Sequence, residues 1–186
     1  AVAAREWALL NPKAYRHGAG PLTVDDVLSS PMLSSPLHTL DCCLVTDGGG
    51  AVVVTSLERA RDLAVPPVRV LGCGEAGTHG VGLAAMPDLT ATGAYESAAR
   101  AWAQAGVGPA DVDLAMLYDS FTITVLLTLE ALGFCGRGEA GSFVADGRCR
   151  PGGSFPMNTN GGGLSYCHPG QYGIFLLIEA ARQLRG

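Results

Sequence analysis

Residues 158–173 read Asn-Thr-Asn-Gly-Gly-Gly-Leu-Ser-Tyr-Cys-His-Pro-Gly-Gln-Tyr-Gly, and this run constrains the fold more than any other feature of the chain. Three consecutive glycines, Gly161 to Gly163, permit positive φ and close backbone approach, while Pro169 stiffens the turn beyond His168. The run predicts a turn pressed against other backbone, followed by a last helix over Gln171–Leu184. That helix is apolar at Ile174, Phe175, Leu177, Ile178 and Ala181. His168 is thereby presented near a helix N-terminus, where free N–H groups favour an anion. An imidazole there suits a general base acting on a thiol, or a donor to a carbonyl oxyanion. A solvated turn histidine is the other reading of the same residues.

Composition narrows the classes. Of 186 residues 48% are hydrophobic and 16% are charged, against about 25% charged in an ordinary soluble domain. That excludes disorder and predicts that much of the surface is covered by protein, through an oligomer or a missing half. With 12 basic and 17 acidic side chains the formal charge is −5, and no Lys/Arg cluster suggests nucleic acid. Apolar runs break well short of the ~20 residues of a membrane helix. The cysteines, at 42, 43, 73, 135, 149 and 167, include no Cys-x-x-Cys pair. No metal site is therefore expected, and reduced thiols point to a cytoplasmic protein. The start, Ala1-Val2-Ala3-Ala4-Arg5-Glu6, is not a signal peptide and lacks an initiator Met. It predicts processing, or a chain that begins inside a longer protein.

The rest of the chain alternates extended and helical signals. Residues 1–40 look irregular, apart from a short helix at Thr23–Leu28 capped by Thr23, and should lie across another surface. Ala51–Val54 and Val68–Cys73 read as strands, the first apolar on both faces and so expected inside a covered sheet. Ser56 caps a helix over Leu57–Leu63. Residues 74–93 form a long Gly-rich loop, then a helix spans Tyr95–Ala105, a strand Val112–Tyr118 and an apolar helix Phe121–Leu132. Ser142–Arg150 reads as a turn region and Ser154–Met157 as a short extended piece. The alternation predicts a layered α/β domain.

Besides His168, chemistry is suggested where the strand ends at Tyr118-Asp119-Ser120-Phe121, since open α/β sheets gather ligands at strand carboxyl ends. Asp119 or Ser120 equally suits a helix cap, and Tyr118 a core edge with a wet hydroxyl. Glu75, Thr78 and His79 lie in the Gly-rich loop, but Gly72-Cys73-Gly74 lacks the glycine and Lys-Ser/Thr of a phosphate-binding loop, so that loop reads as structural. Cys167 adjoins His168, yet neighbouring side chains in a turn diverge, and it reads as an inert thiol.

Taken together these segments resemble the thiolase superfamily, from about Pro12 to the end. Asn158 to Gly162 with His168-Pro169 resembles the Asn-x-Asn-Gly-Gly…Gly-His-Pro motif, with Cys167 replacing the usual Gly. Tyr118-Asp119-Ser120-Phe121 occupies the place of Asn-Glu-Ala-Phe. Asp47-Gly48-Gly49-Gly50-Ala51 is similar to the Ser-Asp-Gly-Ala-Ala strand that closes the N-terminal thiolase domain. The flavour is that of sterol-carrier-protein-type thiolases, often described as lipid-transfer proteins or acetyl-CoA acetyltransferases.

The resemblance implies a layered α/β/α fold. Residues 1–65 would end the N-terminal domain, and residues 66–186 would form a C-terminal domain that stops short of a Cys-x-Gly motif. It implies acyl transfer, making or breaking a carbon–carbon bond beside a coenzyme A thioester, which is a substrate and not a permanently bound cofactor. The catalytic positions it implies are His168, which activates a nucleophilic Cys and holds the thioester oxygen, and Tyr118, in place of the Asn that fixes a water. That Cys would come from a region absent here, so the chain alone is expected to be inactive. Two alternatives stand beside acyl transfer. One is a thiolase-superfamily aldolase cleaving a β-hydroxyacyl-CoA, favoured by the Tyr118 phenol and disfavoured by the retained His168-Pro169. The other is a non-catalytic CoA- or lipid-binding module. The family habit implies a homodimer and admits a small zinc-ribbon/OB-fold partner.

Overall fold

The computed structural model describes residues 1–80 and 82–186; Val81, within the Gly-rich loop expected over residues 74–93, lies outside the described residues. The chain forms two compact units: Ala1–Val68 with Asp113–Val125 and Gly147–Gly186, and Arg69–Val112 with Leu126–Asp146.

The first unit opens on helix α1, Val2–Leu10, in a stretch expected to be irregular. No side chain caps it, so the usual start signal is absent. Its buried face of Ala4, Arg5 and Ala8 packs on the glycine-dense turn. A Cβ on Gly161 would lie 2.8 Å from that of Ala8, so glycine is what lets the turn touch the helix. Trp7 Nε1 donates to the Cys149 carbonyl at 2.9 Å and Asn11 Nδ2 to that of Asn160 at 3.0 Å. The backbone N–H groups of Tyr15 and Arg16 donate to the carbonyls of Tyr166 and Ser165. The first sixteen residues thus lie across the turn, as expected for residues 1–40.

Helix α2, Val24–Ser29, starts as predicted: Asp26 N–H donates to Thr23 Oγ1 at 3.1 Å and Thr23 N–H to Asp26 Oδ2 at 2.8 Å, a reciprocal capping box. Strands β1, Met32–Ser34, and β2, Leu37–His38, form a small antiparallel hairpin. Helix α3, Leu57–Ala60, is shorter than expected, with Ser56 Oγ accepting from Arg59 N–H.

The second unit holds α4, Ala94–Ala105, close to its expected span. Cβ atoms on Gly72 and Gly74 would lie 2.3 Å from the Ala101 carbonyl oxygen and 2.0 Å from that of Ser97, so these glycines let an extended segment rest directly on α4. This close approach accounts for glycine at positions 72 and 74. Trp102 Nε1 donates to the Leu132 carbonyl at 3.1 Å, and its ring meets Phe134 edge-on. Helix α5, Thr122–Leu132, begins in the first unit and continues in the second. Helix α6, Ala140–Ala145, falls where a turn was expected. The first unit ends with α7, Gly162–Ser165, a single turn inside the glycine run, and α8, Gly173–Gln183.

The expected strands need correction. Residues 51–54 and 68–73 belong to no sheet among the described residues, and Val53, Val54 and Val70 are 91%, 83% and 78% exposed. A strand apolar on both faces is stable only between neighbouring strands and under two covering layers. Neither segment has neighbouring strands among the described residues. Residues 112–118 keep one parallel bridge, Ala115 to Met157, through Ala115 N–H to Pro156 O and Asn158 N–H to Ala115 O, each 3.0 Å.

Candidate functional site

The bridge ends because Asn158 turns away at φ 51°, a left-handed conformation that asparagine tolerates. Its side chain then takes over the pairing: Leu117 N–H donates to Asn158 Oδ1 at 2.7 Å. The next residues of that segment, Tyr118 and Asp119, are therefore held against the glycine turn.

Asp119 is fully buried. Its Oδ1 accepts from Gly163 N–H at 2.6 Å and its Oδ2 from Leu164 N–H at 3.2 Å. It is thus a helix cap, as one reading of the sequence had it, but of α7 and not of the α5 that follows it. A Cβ on Gly162 would lie 2.1 Å from Asp119 Oδ2, and one on Gly163 would lie 2.6 Å from His168 Cδ2 and 3.0 Å from Asp119 Oδ1. Only glycine fits between the carboxylate and the imidazole. Burial raises the Asp119 carboxyl from 3.8 to about 6, against the pull of its two N–H bonds. On the other side of the turn, Leu44 N–H donates to the Gly163 carbonyl at 2.9 Å and Cys43 N–H to that of Ser120 at 2.9 Å. Thr46 Oγ1 accepts from His168 N–H at 2.9 Å.

The two candidate residues, His168 and Tyr118, come together. Their ring centroids are 5.3 Å apart at a 52° tilt. His168 also stacks on Tyr172 at 5.4 Å and 21°, and Tyr172 on Phe175 at 6.0 Å and 18°. Tyr172 was not singled out in the sequence, although its place near the start of α8 sets it beside His168. It is buried, and its hydroxyl donates to Asn160 Oδ1 at 3.4 Å. His168 Nε2 is buried without a hydrogen-bond partner among the described residues. Tyr118 is 43% exposed and presents the accessible face of the ring cluster. Partial burial, then the nearby Cys43 and Asp119, push its phenol above the ordinary value, so at neutral pH it is an O–H donor.

The thiols around the site are not activated. Burial and Asp119 push Cys167 up to about 11, and burial raises Cys42 and Cys43 as well. The inert reading of Cys167 agrees with this. Glu75, Thr78 and His79 lie in the second unit, where the Glu75 carbonyl accepts from Arg100 and Thr78 Oγ1 pairs with His79 Nδ1 at 2.8 Å. Among the described residues no cluster of His, Cys, Asp and Glu is arranged to hold a metal ion, and no helix is long and apolar enough to cross a membrane.

Known proteins place these motifs. The family described as thiolase C-terminal domain-like matches residues 74–186. A 17-hydroxy-3-oxo-4-pregnene-20-carboxyl-CoA lyase of Mycobacterium tuberculosis (strain ATCC 25618 / H37Rv) is 44% identical over all of this chain and 48% of its own length. A steroid side-chain-cleaving aldolase of Thermomonospora curvata is 42% identical over all of this chain and 48% of its own. The solved Ltp2-ChsH2(DUF35) aldolase superposes with a TM-score of 0.91 at 41% identity, covering all of this chain and 49% of that one. The chain thus spans about half the length of the curated relatives it matches. The α/β thiolase-like fold expected from the sequence is the fold observed. The chain belongs to the thiolase family, of which it carries the C-terminal portion.

Proposed function

We propose that the protein carrying this chain is a lyase of the thiolase family that cleaves a β-hydroxyacyl-CoA by retro-aldol chemistry. The observation that supports it most is Tyr118: a protonated, accessible phenol stands at the strand end where thiolases carry an Asn, and His168 lies behind it. The reaction moves one proton and one bond. The proton leaves the β-hydroxyl, the Cα–Cβ bond breaks, and its electron pair enters the thioester as an enolate. A proton returns to Cα. The products are a carbonyl compound and a shortened acyl-CoA, with no oxidant and no second coenzyme A consumed. In one relay Tyr118 gives its proton to Cα as the Cα–Cβ bond breaks and takes the hydroxyl proton in its place, so the phenol ends the cycle protonated, with His168 packed against its ring.

Acyl transfer, the first expectation from the sequence, is supported only at the level of the superfamily. It requires a histidine turned toward a thiolate. That thiolate would come from the N-terminal domain, so the choice of lyase chemistry rests on the phenol of Tyr118. The relatives described as a lyase and an aldolase support the same choice. A partner protein fits this reading, since the solved relative is an Ltp2-ChsH2(DUF35) aldolase; the zinc-ribbon/OB-fold accessory expected from the resemblance is proposed in that role.

Tyr118→Phe in the protein carrying this chain, assayed on a steroid β-hydroxyacyl-CoA, is the test. Loss of a phenolic acid/base predicts a fall in kcat of ~10²-fold or more with little change in KM. Unchanged turnover would overturn the assignment.

A further inference from the structure

A cavity of about 250 Å³ in the first unit, whose lining includes neither Tyr118 nor His168, is lined by residues that include Arg5 and Arg16 and the apolar Leu22, Leu40, Leu44 and Leu164. Among the described residues no acidic side chain lines it. Arg5 is 6% exposed. Its guanidinium donates to the Gly20 carbonyl at 3.2 Å, and its Nε is buried with no partner among the described residues. Arg16 stands near enough to depress the Arg5 guanidinium further, after burial has done most of it. The ring that Arg16 lies over, that of Tyr15 at 5.4 Å, carries no charge. Neither arginine forms an ion pair among the described residues.

A guanidinium does not shed its proton under ordinary conditions, so burial cannot be relieved by neutralisation. Two of them lining one cavity each make the other less favourable. An oxyanion between them reverses both effects, and the planar N–H fork suits carboxylate or phosphate. The leucines of the lining suit hydrocarbon.

We infer that this cavity binds a small organic anion, a carboxylate or phosphate head on a short apolar body, with Arg5 and Arg16 holding the head. The inference is independent of the lyase reading, because its residues take no part in that reaction.

The test is the thermal-unfolding midpoint of the protein carrying this chain, at constant ionic strength, titrated with hexanoate, hexyl phosphate and hexanol. One or both anions should raise the midpoint saturably, and the two arms tell a carboxylate from a phosphate ligand; hexanol should not. Arg16→Gln, at a half-buried position after the end of α1, should weaken the apparent affinity by ~10-fold or more, with an unchanged circular dichroism spectrum. Hexanol acting as well as the anions, no saturable shift with either anion, or full affinity in Arg16→Gln would overturn it.

Discussion

Replacing Asp119 by asparagine removes a buried charge while keeping one of its two hydrogen bonds. In the folded chain the carboxyl titrates at about 6 instead of 3.8. The native state therefore holds its proton more tightly than the unfolded state. The stability linked to that proton is complete below about pH 4 and is lost as pH rises through about 6. At 1.36 kcal/mol per unit, the displacement corresponds to about 3 kcal/mol. The substituted amide would not titrate. Its oxygen still accepts from Gly163 N–H, but its N–H₂ faces the Leu164 N–H, and an unmet buried donor costs about 1–3 kcal/mol. Asp119→Asn should then be the less stable protein near pH 4 and equal or more stable near pH 7. Urea unfolding of both proteins across that range measures the difference, and other carboxylates cancel in the subtraction. A difference that stays constant, or that moves in favour of the wild type as pH rises, would refute the assignment of a strained buried carboxylate at Asp119.

Gly163→Ala places a Cβ 2.6 Å from His168 Cδ2, so the imidazole must move, at a cost of about 1–3 kcal/mol read from the unfolding midpoint. Gly49→Ala, with nothing within 4 Å of its new Cβ, should be nearly neutral and serves as the control. Thr23→Ala removes both hydrogen bonds of the Thr23 hydroxyl, leaving only the Thr23 N–H to Asp26 Oδ2 half of the α2 capping box, and should lower stability by about 1 kcal/mol, measured by denaturant unfolding.

Local signals were legible where one residue type enforces one backbone state. Thr23 and Ser56 mark real helix starts, and the spans of α4, α5 and α8 follow from apolar periodicity ended by glycine or exposed residues. His168 and Tyr118, named from their motifs, do meet in space. Three things were not legible. Helix α1 has no cap to announce it, and α7 is built from glycines that forbid a helix prediction. The valines of residues 51–54 carry a strand signal, but a strand is a property of a pair, and among the described residues no partner realises it. The role of Asp119 depends on N–H groups more than forty residues away. No local pattern distinguishes a cap for the next helix from a cap for a distant one.

The central claim is that Tyr118 belongs to a lyase and not to an acyltransferase. The direct measurement is the coenzyme A requirement of carbon–carbon cleavage by the protein carrying this chain, followed by product analysis. The lyase account predicts that a β-hydroxyacyl-CoA is split with no free coenzyme A added. It also predicts that acetoacetyl-CoA with free coenzyme A yields no acetyl-CoA. Thiolysis of acetoacetyl-CoA, with the β-hydroxyacyl-CoA left intact, would contradict it.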